Sequence, residues 1–277
     1  MIPQIIFSIV LSVTIFFLAF NLDLGKMGIA SNISALLIVL GGTLAATLIA
    51  YPGRRLILTV HLLKNAFLSG NELDWTRKTI VTLARVYRKE GIRVLERTGE
   101  KLPGGYLKTA VELISYNYTK DEIKHILQKE AFIICNQYEA SDKIICSMAR
   151  LAPALGLTGT IVSLIRTFGY FADTGGQAGY FGIALLSTFY GVVFAILFFM
   201  PLSRKLREFM YQEAARFDLI QEGILDVYDQ ENPRAIEYKL ATLSSLSTRG
   251  SGKSRVAPRP ELGGMTNPKM QPAALSS

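Results

Sequence analysis

The sequence predicts an all-α integral membrane protein: four transmembrane helices with a helical cytoplasmic domain between spans 2 and 3. Three observations predict it. Half of the 277 residues are hydrophobic. That share is close to a soluble norm of about 45–50%, but here it is concentrated in four long runs suited to crossing a bilayer. Charge is distributed unevenly around those runs: 27 of the 30 Lys and Arg lie between runs two and three or after run four. In the large polar segment between runs two and three, apolar residues recur at helical spacing.

The first run, Ile2 to Leu22, is uncharged and near the ~20 residues that span a bilayer. No basic residue precedes it and no small-x-small cleavage site follows, so it reads as a span and not a signal peptide. A short polar linker, Asp23 to Asn32, leads to the second span, Ile33 to Tyr51. Its GGTLAAT stretch (Gly41 to Thr47) supplies a small-residue packing face. Pro52-Gly53 ends it, and Arg54 and Arg55 mark the membrane surface, so residues 1–53 hold spans one and two.

Residues 54–143 have soluble character. Leu56, Val60, Leu63 and Phe67 form one helical stripe, and Ile80, Leu83, Ala84 and Tyr87 form another. Gly70-Asn71, Gly91 and Pro103-Gly104-Gly105 punctuate the segment. Four or five short amphipathic helices in a compact cytoplasmic domain are expected. Thr119-Lys-Asp-Glu122 has capping-box form, and the helix it opens, Asp121 to Met148, should continue into the membrane as span three.

Residues 144–203 hold spans three and four, LAPALGLTGTIVSLIRTF (Leu151 to Phe168) and GIALLSTFYGVVFAILFFMP (Gly182 to Pro201). The loop between them is placed at Phe168 to Tyr180 and contains Asp173 and Gly175-Gly176. Pro153, Gly156, Thr160, Ser163 and Thr167 share one face of the first helix. Ala184, Thr188, Gly191 and Ala195 share one face of the second. Such seams let helices approach closely in lipid, and hydroxyls in them can equally line a polar path. Arg150 and Arg166 bracket the uncharged core of span three, with their heads snorkelling to the two surfaces. Residues 204–243 are amphipathic helix, broken at Asn232-Pro233. Residues 244–277 are rich in Ser, Gly, Pro, Lys and Arg and read as a disordered basic tail.

The charge asymmetry sets the orientation. The positive-inside rule puts the large loop and the C-terminus in the cytoplasm, and four spans place the N-terminus there too. The net charge of +8 is explained by these basic loops without nucleic acid. Cys135, Cys146, His61 and His125 are too few for a metal cluster or a disulfide framework, and the thiols are expected to be reduced and packed. No nucleophile triad, phosphate loop or zinc spacing supports an enzyme. Spans three and four contain no Asp or Glu. A transporter usually carries a titratable group within the membrane, so if this chain conducts cations, another chain supplies the binding acid.

The span order, the LAPALGLTGTIVSLI and ALLSTFYGVVFAILFFMPLSRKL segments, and EGILDVYDQENPRAIEYKL (Glu222 to Leu240) closely resemble the MotA/PomA family of flagellar stators. The resemblance covers roughly residues 1 to 243. The span motifs are shared more loosely with TolQ and ExbB, whereas the EGxLxxxDxxNPRxI element and the 2+2 span arrangement are more specific to the MotA/PomA branch. The resemblance implies a multi-pass protein of the bacterial inner membrane. It implies a homopentamer around two copies of a single-span, peptidoglycan-binding MotB- or PomB-like partner that carries the ion-binding Asp. From the sequence, the packing seams of spans three and four carry the oligomer expectation. Cation flow would turn the pentamer and drive the rotor through FliG, with no cofactor beyond the transported Na⁺ or H⁺. The alternative is a stator of the same superfamily energising another envelope or gliding machine in a TolQ/ExbB-like role; a membrane scaffold without conduction is a third reading.

Several residues carry over by motif. Thr160 and Thr188 match the pore threonines of sodium-type stators, a pattern that also occurs in proton-driven ExbB and TolQ. Pro153 and Pro201 match prolines implicated in coupling the channel to the cytoplasmic domain. In ARVYRKEGIRVLE (Ala84 to Glu96), Arg88 and Glu96 match the two principal rotor-facing charges, with Lys89, Glu90 and Arg93 as neighbours. Arg166 departs from the motif, where the usual residue is uncharged.

Overall fold

A computed structural model describes residues 29–68, 70, 72–169 and 177–250. All of the secondary structure among them is helical. The second span is built from α1 (Ile29–Leu36), a π segment (Leu37–Gly41) and α2 (Gly42–Ala50). Tyr51 then adopts an extended conformation (φ −131°, ψ 137°), as the residue before a proline favours, and the chain turns at Pro52. Next come α3 (Gly53–Leu68), α4 (Leu73–Glu90), α5 (Ile92–Glu100) and α6 (Tyr106–Ser115). One long helix, α7 (Lys120–Gly169), follows. The fourth span is α8 (Gln177–Val193) and a π segment (Phe194–Phe199), which runs on into α9 (Met200–Tyr228). The last helix is α10 (Pro233–Gly250).

Three of the described helical stretches are long and apolar enough to cross a membrane: Ile33–Ala50, Lys120–Phe168 and Ala184–Tyr228. They overlap the expected spans two, three and four, and the second and third of them extend well past those spans. The first span, Ile2 to Leu22, lies outside the described residues. At 50 residues, α7 is about 75 Å long at 1.5 Å per residue, so it far exceeds the bilayer and extends well beyond it. Its start is fixed by the Glu122 carboxylate, which accepts from the Thr119 N–H at 2.9 Å and the Thr119 hydroxyl at 2.7 Å. Asp121 and Glu122 also complement the positive end of the helix.

Helices α4–α7, α9 and α10 share one core. It gathers Ile80 and Leu83 of α4, Leu95 of α5, Ile114 of α6, Ile123 and Leu127 of α7, Ile220 and Ile224 of α9, and Ile236 and Leu240 of α10. Residues 54–143 and 204–243, separated in the sequence by spans three and four, therefore pack as one body. Gly223 makes this possible: a Cβ there would lie 2.8 Å from Ile80 Cγ2 and 3.2 Å from a methyl of Leu240. The α4–α5 corner turns at Gly91 with φ +80°, a region that L side chains rarely adopt. A second cluster nearer the membrane joins α3 (Leu62, Ala66), α7 (Tyr138, Ile145) and α9 (Leu206, Phe209).

Some local expectations change. On α3 the buried face is Thr59, Leu62 and Ala66, whereas Val60 of the expected stripe is 67% exposed. Small and polar residues win there because Thr59 Oγ1 donates to the Arg55 carbonyl at 2.8 Å and contacts Ser141 Oγ at 3.1 Å across to α7. The second-span helix begins at Ile29, inside the expected linker. Helix also occupies Phe168, Gly169 and Gln177 to Tyr180, all within the expected loop, and residues 170–176 lie outside the described part. Lipid favours the longer helices, because it offers unpaired backbone groups no partner. The break before α10 falls at residues 229–232: Gln230 takes φ 55°, and the Asn232 side chain accepts from the Arg234 N–H at 3.1 Å. Finally, α10 continues through Ser244 to Gly250. The Ser244 and Ser245 hydroxyls bond back to the Ala241 and Thr242 carbonyls, satisfying polar side chains within the helix. Residues 251–277 lie outside the described part.

Candidate functional site

Spans three and four cross where their backbones touch. A Cβ on Gly156 would lie 2.6 Å from the Ser187 carbonyl oxygen, and one on Gly191 would lie 2.6 Å from the Ala152 carbonyl oxygen. Only glycine fits either position. The seam around the crossing is buried: Ala184 is 2% exposed, Ser163 3%, Thr167 2% and Ala195 3%. The small residues singled out in the sequence thus pack the two helices within one chain.

Thr160 and Thr188 meet at this crossing, half-buried, and their hydroxyls hydrogen-bond each other. Thr160 Oγ1 also has the Ala184 carbonyl at 2.9 Å and the Gly156 carbonyl at 3.2 Å. Thr188 Oγ1 lies 3.4 Å from the Gly156 carbonyl. Each hydroxyl has one proton and two lone pairs. One of the two protons serves the mutual bond and the other is directed to a carbonyl, which leaves oxygen lone pairs available to a cation. Sequence reasoning passed over Ser187, which is fully buried and donates towards Gly156 O (3.1 Å) and Ala184 O (2.9 Å). Its signal was its spacing: Ser187 lies three residues from Ala184 and four from Gly191, on the same face.

The prolines sit at the backbone irregularities of the membrane part. Pro153 lies inside α7 and cannot donate to the Ala149 carbonyl, and its Cα would lie 3.2 Å from a Cβ on Gly191. Pro201 is the second residue after the π segment Phe194–Phe199. The second-span π segment reaches the same place: Val39, Ala152 and Ala195 form one buried cluster. Two π segments and a proline are therefore brought together where three helices meet, the kind of site at which helices bend.

Just below Pro201 lies a group that the sequence did not announce. Asp142 of α7 is 7% exposed. Its Oδ1 accepts from the Ser203 hydroxyl, and its Oδ2 accepts from Arg207 Nη2 at 2.6 Å, both from α9. Cys146 Sγ lies 3.1 Å from Ser203 Oγ. An acid flanked by Ser141 and Lys143 reads as surface in sequence; only the approach of α9 makes it interior.

Arg88, Lys89 and Glu90 end α4, while Arg93 and Glu96 lie on α5 beyond Gly91. The segment that reads as one charged stretch is thus two helices meeting at a corner. All five side chains are exposed, and none has an ion pair among the described residues. Elsewhere in the helical body, burial raises the pKa of Glu213 and Asp218 on α9 and of Glu130 on α7 above their ordinary values. Burial also pushes the Tyr138 hydroxyl up to about 12.

The family described as the MotA/TolQ/ExbB proton channel family matches residues 99–219. Motility protein A of Borreliella burgdorferi is 30% identical over 179 residues, covering 65% of this chain and 69% of the relative. Chemotaxis protein PomA of Vibrio alginolyticus is 25% identical over 214 residues, covering 77% and 84%. The fold matches the C. jejuni MotAB structure with a TM-score of 0.78 at 21% identity, covering 88% of this chain and 96% of that one. It matches the flagellar MotAB stator complex of Bacillus subtilis with a TM-score of 0.76 at 22% identity, covering 90% and 98%. Long apolar helices crossed at a glycine seam, joined to a packed helical body, define the class of a multi-pass membrane protein. Within it, the chain belongs to the MotA/PomA family of flagellar motor stator proteins.

Proposed function

We propose that this chain, with a MotB- or PomB-like single-span partner, conducts cations across the bacterial inner membrane and converts their flow into torque on the flagellar rotor. The observation that carries the reading is the Thr160–Thr188 hydroxyl pair at the glycine crossing of two spans that contain no carboxylate. Two hydroxyls leave the charge of a cation uncompensated within the membrane, so an acid on the partner completes the site. In this arrangement four spans enclose the path, both termini and the body formed by α3–α6, lower α7, α9 and α10 are cytoplasmic, and five copies surround two partners. Hydroxyl oxygens matter most for an ion that sheds water, so the threonines favour Na⁺ over H⁺.

The exposed charges at the α4–α5 corner would meet the rotor protein FliG. Exposed pairs are individually weak, about 0.2–1 kcal/mol, which suits a contact made and released at every step. Pro153 and Pro201 would let the spans bend as ions pass. The test is the rotation of tethered cells at varied external sodium and fixed proton-motive force. Sodium-dependent rotation is expected, impaired by Thr160→Ala, and by Arg88→Glu and Glu96→Lys together more than by either alone. Speed that ignores sodium but collapses with a protonophore reassigns the ion to H⁺. Ion flux with no effect on swimming would instead place the chain in another envelope machine, as a TolQ- or ExbB-like stator.

A further inference from the structure

We propose that Asp142 is a positioning residue that makes the lower halves of α7 and α9 move as one unit, so that displacement of the fourth span reaches the cytoplasmic body as a bend at Pro201 and not as slippage. The inference rests on the stator reading.

The geometry that points to it is a helix pair held at two levels with a compliant stretch between them. The upper level is the glycine crossing, where Gly191 approaches Ala152 and Gly156 backbone to backbone. The lower level is Asp142, about three turns below Pro153 on α7. Both of its carboxylate oxygens are taken up by α9, Oδ1 by Ser203 and Oδ2 by Arg207 at 2.6 Å. Between the two levels, α8 and α9 carry the π segment Phe194–Phe199 and Pro201. Helices bend at low cost at such features, because the regular hydrogen-bond ladder is already interrupted.

The chemistry of the lower level resists slippage. Asp142 is buried, whereas the Arg207 side chain is 51% exposed. Sliding α9 by one turn would return Arg207 to water at little cost but leave the carboxylate charged, buried and unpaired, which is strongly unfavourable. Relative sliding of the two helices is therefore penalised at this point, while bending just above it is not. Below it, α9 runs unbroken through Leu206 and Phe209 into the core at Ile220 and Ile224. A tilt imposed at Pro201 is thus passed to the body that carries Arg88 and Glu96.

The experiment measures two quantities on the complex co-expressed with its single-span partner: ion flux into cells and stall torque on tethered cells. Asp142→Asn keeps the side-chain size and removes the charge. It is expected to leave membrane abundance and ion flux near the parent level while lowering torque by about threefold or more, the scale on which a coupling contact acts. The charge exchange Asp142→Arg with Arg207→Asp should recover torque. Torque unchanged in Asp142→Asn, or torque and flux falling in proportion, overturns the proposal, because a merely structural residue would move both together. Should Asp142→Asn fail to accumulate, Ser203→Ala and Arg207→Lys, which leave the carboxylate paired, carry the test. They are expected to lower torque per ion, and torque per ion equal to the parent's overturns it. Absence of flux and torque in the parent complex itself would reject the stator reading; parent-like torque in the variants rejects only the role of Asp142.

Discussion

Gly191 shows how much one missing methyl decides. Alanine normally favours a helix over glycine by about 1 kcal/mol. Here the added Cβ would meet the Ala152 carbonyl oxygen at 2.6 Å and the Gly156 and Pro153 Cα atoms at 3.2 Å. These are backbone atoms of a packed helix and cannot rotate away, so overpacking of about 1–3 kcal/mol outweighs the helix preference. Gly191→Ala is expected to lower the thermal midpoint of the purified protein and its abundance in the membrane. Gly42→Ala is the control, since its Cβ would meet only Leu155 side-chain carbons at 3.2–3.3 Å, which can shift. Equal stability of the two variants would mean that the crossing is looser than described. At this scale the sequence was legible where chemistry and spacing agreed, as for Gly156, Thr160, Thr188 and Gly191. It was silent on Asp142, because burial of an acid depends on which helix packs over it, and that is a long-range fact.

Among the elements, α9 carries the least expected electrostatics. Glu213 sits between α4 and α7, within reach of Arg216, Glu72 and the side chains of Cys135 and Tyr138. Desolvation raises its pKa, and Arg216 at 3.1 Å only partly opposes this. Asp218 and Glu130 are raised by the same cause. A carboxyl with a folded pKa above its ordinary 4.5 binds its proton more tightly when folded. Stability therefore falls as pH rises from 4.5 through the raised value, and the full cost is present above it. Replacing Glu213 with Gln should raise the thermal midpoint above the raised pKa and flatten its pH dependence between that value and 4.5. A lower midpoint in the variant would show that the ion pair with Arg216 outweighs burial. Helix existence was readable from periodicity, as with Ile80, Leu83, Ala84 and Tyr87, all on the inner face of α4. The face of α3 was not, because Thr59 wins its place through a hydrogen bond to Ser141 rather than through hydrophobicity.

For the whole molecule, the question is what covers its remaining apolar surface. The seams that suggested an oligomer from sequence are used up between α7 and α8 of the same chain. Other faces stay open. Leu157, Ile161 and Ile165 form an exposed line on the membrane part of α7 and are 57%, 52% and 66% exposed. Lipid or a partner helix can cover those. Ile57 and Val60 on α3 and Phe132 and Ile133 on lower α7 are also largely exposed, and lipid cannot reach all of them. Ile133 lies some 27 Å along the helix from Leu151, where the uncharged core of the span begins. Apolar side chains clustered in water mark a protein interface, and copies of this chain side by side would cover them. Native mass measurement of the complex with its single-span partner is expected to give five copies to two. Ile133→Asp should reduce the oligomer while leaving the chain folded and membrane-bound, because the side chain faces outward and adds nothing to the core. A complex of one copy to one as the only species that turns the rotor, or an oligomer indifferent to Ile133→Asp, would assign that surface to something other than neighbouring copies.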